Sequence, residues 1–160
     1  MKLMEDVFLT HSTEIKTTPD EIFKFFDGLV DDESYRLWHP EDHLTFRWLK
    51  GEPWQEGSIV YAEEYFHGKL HKLKFVITRV VPGRLIEYGP VSRFLRRYVP
   101  GLTFKVEQKG DVCLYTASVH YRLALIPRLL APRHVKEGLA SVRKHMAEEG
   151  ENLKKTLEEG

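Results

Sequence analysis

The chain has 160 residues, and its 24 basic and 24 acidic side chains give a formal net charge of zero. A neutral chain has no overall field to attract nucleic acid or an anionic membrane, so we expect neither as a partner. No apolar run approaches the ~20 residues of a membrane span, and the N-terminal segment lacks the apolar core of a signal peptide. We therefore expect a soluble, cytoplasmic protein that forms a single domain over residues 1–160.

The first predicted elements are a strand and two short helices. Residues 7–17 alternate between apolar and polar side chains, which indicates a half-buried strand. Thr18 and Pro19 then supply the cap and the first turn of an amphipathic helix. A second helical segment follows, and Pro40 prevents its simple continuation, which places His39 at a helix end.

Six further strands and one long helix are predicted after His43. Turn residues separate six strand-like stretches and predict an antiparallel meander. The stretches are HLTFRWLKG, GSIVYAEEYFHG, KLHKLKFVITRVVPG, RLIEYG, LTFKVEQKG and DVCLYTASVHYRL. From about Pro132 to Leu157, apolar residues recur at helical spacing.

This order of elements predicts an α+β helix-grip fold, in which a curved antiparallel sheet of about seven strands wraps around a long C-terminal helix. The two short helices come after the first strand. In this respect the chain resembles the START-like superfamily, which includes pollen-allergen and polyketide-cyclase groups. The resemblance implies an elongated cavity between sheet and helix and leaves the function open.

The hairpin between the third and fourth strands decides which of two acids faces inward. If residues 68–69 form a two-residue turn, Glu64 pairs with Leu73 on the apolar face. Glu63 then pairs with Lys74 on the opposite face. A slip of one residue would exchange the two acids, so both stay candidates.

A similar argument applies to the last hairpin. If its turn lies at residues 109–110, Phe104 pairs with Tyr115, and Tyr115 and Tyr121 point inward. His120 then points outward and is predicted to be a surface residue. Inward tyrosines belong either to the core or to an acid-base site.

Four polar residues are predicted to converge at one end of the cavity. His145 and Glu149 are four residues apart on the last helix, so they project about 40° apart. Glu149 lies beside the buried stripe and needs a partner there. Together with His43 from the loop and Glu64 from the sheet, they form a plausible zinc set with room for a bound water. Each residue also has a structural alternative, such as a strand cap, a solvent-exposed acid or a surface ion pair.

A narrower resemblance supports the metal hypothesis. The string YRLWHPEDH, a later strand glutamate and a helical His-x-x-x-Glu resemble the zinc-dependent diacetylphloroglucinol hydrolase and phloretin hydrolase family. The resemblance implies Zn²⁺ and hydrolysis of the carbon–carbon bond between a phenolic ring and an acyl group. By motif, His43, Glu64, His145 and Glu149 match the zinc ligands, and Tyr35 matches a tyrosine that contacts the phenolic substrate. This chain is much shorter than those hydrolases, so their other substrate contacts do not transfer.

The sequence thus predicts a zinc hydrolase acting on a phenolic or cyclic ketone. Tyr35, His39, Tyr115 and Tyr121 are candidates to orient ring hydroxyls or to relay a proton, and His39 is also an alternative ligand to His43. The main alternative is a non-catalytic carrier or sensor for a lipid or polyketide, in which the polar cluster holds no metal. A metal-free cyclase or dehydratase is a third hypothesis, and a homodimer is left open.

Overall fold

An antiparallel sheet and a long C-terminal helix dominate the computed structural model, which describes residues 3–66 and 68–159. Within these residues the strands are β1 (Met4–Ile15), β2 (His43–Lys50), β3 (Ile59–Phe66), β4 (Lys69–Val81), β5 (Leu85–Pro90), β6 (Gly101–Lys109) and β7 (Val112–Ala124). The helices are α1 (Pro19–Asp27), α2 (Asp32–Trp38), α3 (Arg93–Arg96), α4 (Leu125–Leu130) and α5 (Pro132–Glu159). The sheet order is β1-β7-β6-β5-β4-β3-β2, so β2 to β7 form the predicted meander and β1 pairs with the last strand.

Local signals place the two short helices where they were predicted. The Thr18 hydroxyl accepts a hydrogen bond from the backbone N–H of Glu21 at 3.3 Å and caps α1. At the start of α2, Asp31 and Ser34 cap each other's backbone N–H groups, with contacts of 2.8 and 3.1 Å. These bonds satisfy donors that a helix N-terminus otherwise leaves open. His39 is the C-cap of α2, as the following proline predicts.

The predicted register of the β3–β4 hairpin was wrong by two residues. Glu64 lies opposite His71, and Glu63 lies opposite Lys72. The two strands are joined one residue earlier in the chain than the turn chemistry indicated. Because strand side chains alternate with a period of two, a shift by two residues leaves every side chain on its predicted face. Glu64 is therefore buried, and Glu63 is the outward acid.

The predicted register of the β6–β7 hairpin was also wrong by two residues, in the opposite direction. Phe104 lies opposite Ala117 rather than Tyr115. The faces are again as predicted, with Tyr115 fully buried and Tyr121 partly buried. His120 points to the outer face, where its Nε2 lies 2.8 Å from a carboxylate oxygen of β1.

Helix α5 packs its buried stripe against the inner face of the sheet. The fully or nearly buried residues of this helix are His145, Met146, Glu149, Gly150 and Leu153. No helix in the described ranges has the length and apolar composition that crossing a bilayer requires.

Gly150 sets how closely α5 approaches β1, and its replacement gives a stability test. A Cβ at Gly150 would overlap the Thr13 hydroxyl and lie 3.4 Å from the Thr13 Cβ. We expect Gly150→Ala to lower the free energy of unfolding by about 1–2 kcal/mol. Gly138→Ala, in the same helix with nothing within 4 Å of its added Cβ, is expected to raise it by about 0.5–1 kcal/mol, because alanine favours the helix. Urea unfolding measures both; the same sign for both variants would contradict the close approach.

Candidate metal centre

The four residues predicted to converge do meet, beside the middle of α5. His43 and Glu64 are paired across β2 and β3, and His145 and Glu149 lie one turn apart on the helix. The Nε2 atom of His43 is 2.9 Å from Glu149 Oε2. The Nε2 atom of His145 is 3.3 Å from Glu64 Oε2 and 3.3 Å from Glu149 Oε1. All four side chains are buried.

The other ring nitrogens of the two histidines are held from outside the cluster. His43 Nδ1 is 2.9 Å from the backbone carbonyl of Tyr35, which can only accept, so this nitrogen carries the proton. His145 Nδ1 is 2.8 Å from Asp42 Oδ2, which fixes that ring in the same sense. Each ring therefore turns its Nε2 towards the carboxylates. Metal-binding histidines are commonly oriented by such partners on the second nitrogen.

Burial and charge shift the pKa values of the cluster. Burial disfavours a charged His145 ring, but the carboxylates of Glu149 and Glu64 outweigh it and raise its pKa to about 12. Burial likewise disfavours an ionised Glu149, yet His145 and His43 hold its pKa well below the usual range. For Tyr35, burial and the charge of Glu64 raise the pKa well above its usual value. The protonated Tyr35 hydroxyl accordingly donates a hydrogen bond to Glu64 Oε1.

The separations between these donor atoms suit a tetrahedral zinc ion. Zinc bonds of 2.0–2.1 Å in a tetrahedron place neighbouring ligand atoms about 3.3 Å apart. The histidine-to-carboxylate contacts of 2.9 and 3.3 Å are close to that separation. Donor atoms of His43, Glu64 and His145 all lie within 4.8 Å of one another, whereas Glu149 contacts the two imidazoles through different carboxylate oxygens, Oε2 and Oε1. Two imidazoles with carboxylates are a common donor set for zinc, so the residues fit the ion that the sequence suggested.

His39 is buried beside this cluster, but the hydrogen bonding of its ring leaves no nitrogen lone pair free to bind a metal. Its Nδ1 accepts the backbone N–H of Asp42 at 3.0 Å, so in the neutral ring the proton sits on Nε2. That Nε2 lies 3.5 Å from Asp42 Oδ2 and 3.6 Å from Glu148 Oε1, without a hydrogen-bond partner among the described residues. His39 and Asp42 also approach His145 closely enough to form a second potential group. The hydrogen bond at Nδ1 favours His43 over His39 as the ligand.

An apolar cavity of about 160 Å³ opens next to the cluster, between the sheet and α5. Glu64, His145 and Glu149 contribute to its wall, together with the hydroxyl-bearing Tyr88 and Tyr121. Most of the remaining wall is apolar, and it includes Phe66, Phe75, Leu102, Phe104, Val142 and Met146. The titratable groups of Glu64, His145 and Glu149 thus form the polar end of a mostly apolar cavity, as in many small-molecule sites.

The four candidate catalytic residues do not share one position. Tyr121 lines the cavity, and Tyr35 lines a smaller adjoining pocket and contacts Glu64. Tyr115 is fully buried, and its hydroxyl has no hydrogen-bond partner in the described part of the chain. His39 contributes instead to an open groove on the far side of α5. Tyr121 and Tyr35 are therefore the better placed of the four.

Two residues with clear positions at the site were not assigned a role from the sequence. Tyr88 on β5 lines the cavity. Its burial and, to a smaller extent, the negative charges of Glu149 and Glu64 raise its pKa well above the usual value. Its strand is short, and alternation within it could have suggested an inward tyrosine. Asp42 lies between the two histidines of the string HPEDH, but the residue it contacts, His145, is 103 positions away in the sequence.

Comparison with known proteins identifies the fold. No protein-family model and no curated protein sequence matches the chain. Truncated norcoclaurine synthase from Thalictrum flavum aligns over 100% of this chain and 98% of its own, with a TM-score of 0.72 and 16% identity. Ara h 8.0201 aligns over 98% and 100%, with a TM-score of 0.66 and 15% identity.

A third similar structure is the di-domain ARO/CYC protein BexL from the BE-7585A biosynthetic pathway. It aligns over 98% of this chain and 50% of its own, with a TM-score of 0.69 and 12% identity. Identities this low carry the fold and no activity, so the resemblance to zinc hydrolases stays a hypothesis. What the comparisons confirm is that the chain has the START-like helix-grip fold.

Proposed function

We propose that this protein is a zinc-dependent hydrolase of a small phenolic or cyclic ketone. One observation carries the proposal: the Nε2 atoms of His43 and His145 face the carboxylates of Glu64 and Glu149 at the polar end of an apolar cavity. A neutral imidazole lone pair and a carboxylate repel each other unless a proton or a cation lies between them. One divalent cation would satisfy the mutually close donors of His43, Glu64 and His145, and Glu149 contacts both imidazoles beside them.

The size of the cavity favours a substrate with one ring. Its volume is about 160 Å³, and an engineered apolar cavity of about 150 Å³ accepts benzene. A single ring that carries a short acyl group and small hydroxyl groups is therefore a better fit than a long-chain lipid. The apolar wall also favours a neutral molecule, because a charged ring substituent would lose its hydration there.

Different residues of the chain would have different roles in such a reaction. When bound, zinc polarises a carbonyl oxygen and lowers the pKa of a water molecule towards ~7. Water adds to the acyl carbon, the bond to the ring breaks, the acyl group leaves as a carboxylic acid, and the ring carbon gains a proton. Tyr35 holds Glu64 in place, and Tyr88 and Tyr121 offer hydroxyl donors to the substrate. Phe66 and Phe75 line the cavity and exclude bulk water.

A screen of acylated phenols tests the proposal. Zinc-loaded protein is incubated with hydroxylated acetophenones and acetylphloroglucinols, and the free phenol and acetate are quantified by chromatography. We expect equal amounts of both products, and none after chelation or in Glu149→Gln. A fully zinc-loaded protein that binds these ketones in its cavity and leaves them intact would rule the hydrolase out.

Tyr88→Phe tests whether that hydroxyl contacts the substrate. Loss of one hydrogen bond of about 1 kcal/mol corresponds to about fivefold weaker binding, so we expect KM to rise about fivefold. Tyr65→Phe, at an exposed position, is the control and is expected to leave KM unchanged. Both are measured with the best ketone from the screen. Equal KM values for Tyr88→Phe and the unmodified protein would remove Tyr88 from the substrate contacts.

A metal-free carrier of a hydrophobic molecule is the second candidate function. The hydrogen bonds within the cluster favour this candidate, because they pair its polar groups without an ion: Tyr35 bonds Glu64, and His43 bonds Glu149 at 2.9 Å. The cavity would then hold its ligand without reaction. Native mass spectrometry of protein purified without a histidine tag separates the two candidates. A metal-free protein carrying an apolar molecule supports the carrier, and bound zinc supports the hydrolase.

A further inference from the structure

The zero net charge of the chain conceals an uneven distribution. Residues 88–106 and residues 112–136 contain no aspartate or glutamate. Both segments carry basic side chains: Arg93, Arg96, Arg97, Lys105, Arg122, Arg128, Arg133 and Lys136. These acid-free segments contain α3, α4 and the start of α5. An expectation based on total charge alone misses this local excess.

The helical parts of these segments, α3 and α4, lie at the same end of the molecule, around the opening of the cavity. The backbone N–H of Arg122 donates to the carbonyl of Tyr98 at 2.8 Å, which joins the end of β7 to the segment after α3. Helix α4 begins three residues after that contact. Leu95 lines the cavity together with Val142 of α5, and Leu95 is also 48% exposed. Helix α3 therefore borders the open end of the cavity.

Both short helices turn apolar side chains to the outside. In α4, Ile126, Leu129 and Leu130 are 68%, 61% and 81% exposed. Arg128, in the same helix, instead reaches Glu5 on β1 and is mostly buried. This arrangement reverses the usual one, in which a surface helix buries its leucines and exposes its charges. We call the exposed set the end patch; it consists of Phe94, Leu95, Ile126, Leu129 and Leu130.

The chemistry of the end patch selects among partners. Clustered apolar residues on a surface mark an interaction site. Arg93, Arg97, Arg133 and Lys136 surround the patch in sequence and form no ion pair within the described residues. A second copy docked through the same face would bring these like charges together. An anionic bilayer neutralises them and accepts leucine and phenylalanine at the level of its headgroups.

We propose that the end patch docks this protein on an anionic lipid bilayer, without spanning it. The apolar side chains of α3 and α4 enter the headgroup region, and the surrounding arginines contact lipid phosphates. Docking of this kind turns the open end of the cavity towards the phase in which small apolar molecules accumulate. The proposal does not depend on zinc or on hydrolysis.

Vesicle sedimentation tests the docking directly. The purified protein is mixed with vesicles of pure phosphatidylcholine, or of phosphatidylcholine with about one third phosphatidylglycerol. We expect binding to the anionic vesicles, much weaker binding to the neutral ones, and loss of binding at high salt. Leu129→Ser with Leu130→Ser is expected to weaken binding about tenfold. Arg93→Glu with Arg97→Glu is expected to weaken it by about 25-fold or more, because each basic residue contributes about fivefold.

Matched variants elsewhere on the surface control for general effects. Leu37→Ser removes a 73% exposed leucine from α2, and Lys24→Glu with Lys50→Glu reverses two exposed charges. Both are expected to bind vesicles as the unmodified protein does, and all variants should unfold at the same urea concentration. Failure of the unmodified protein to bind anionic vesicles would overturn the proposal. So would equal losses in the control variants, or a dimer in sedimentation velocity that the leucine variants abolish while vesicle binding is absent.

Discussion

Replacing His145 by alanine is expected to yield protein that contains no zinc and has no zinc-dependent hydrolase activity. The Nε2 atom of this residue is the one that approaches both carboxylates, at 3.3 Å each. Without the imidazole, Glu64 and Glu149 are left buried near each other, and burial and their mutual repulsion favour the protonated, neutral form. Elemental analysis of untagged protein is the measurement, with about one zinc per chain expected before the substitution.

A surface histidine and a supporting acid give this experiment its controls. His120→Ala removes a histidine from the outer face of the sheet and is expected to keep full zinc content. Asp42→Asn keeps the shape of the residue that orients His145 and is expected to weaken zinc affinity by about 10- to 100-fold, since outer-shell partners typically contribute that much. Equal zinc loss in His145→Ala and His120→Ala would point to nonspecific binding. Undiminished zinc in His145→Ala would remove this residue from the site.

The fold was predictable because its signals are local or tolerate error. The caps at Thr18 and Asp31 need only residues three positions away. The β3–β4 turn was placed one residue too late and the β6–β7 turn one residue too early; each error shifted the pairing by two residues and preserved both faces. Burial of Glu64 was therefore correct, although its predicted cross-strand partner was not. An error of one residue in the pairing would have turned Glu64 to solvent.

The details of the site depend on contacts that no local pattern encodes. The string HPEDH contains two histidines and two acids, and the sequence could not rank them. The backbone at the C-cap of α2 decides the matter, since it lets the Asp42 N–H reach His39 Nδ1 and leaves His43 facing the helix. Tyr88 was missed for a different reason, because β5 has only six residues and the alternation that puts Tyr88 on the face of buried Ile86 is brief.

Zinc is expected to weaken or reverse the loss of stability that this protein shows as pH rises. In the metal-free protein the pKa of His145 is raised from 6.5 to about 12. The folded state then keeps a proton that the unfolded chain releases above about pH 6.5, so the free energy of unfolding falls as pH rises, by up to about 1.4 kcal/mol per pH unit. Glu149, whose pKa is lowered from 4.5, contributes stability that is present above this value and is lost as pH falls below it. The metal-free protein should thus be most stable between about pH 4.5 and 6.5.

Zinc displaces the proton on His145, so its binding strengthens as pH rises over the same range. Urea unfolding at about pH 6.5 and at about pH 8.5 should therefore show a loss of up to about 2.7 kcal/mol with chelator present, and a smaller loss or a gain with excess zinc. In His145→Gln the chelator-dependent loss should disappear, whereas His120→Gln should retain it. The metal hypothesis requires that the two conditions diverge with rising pH. Parallel pH profiles of the free energy of unfolding with and without zinc would mean that zinc and the proton do not compete for the His145 imidazole.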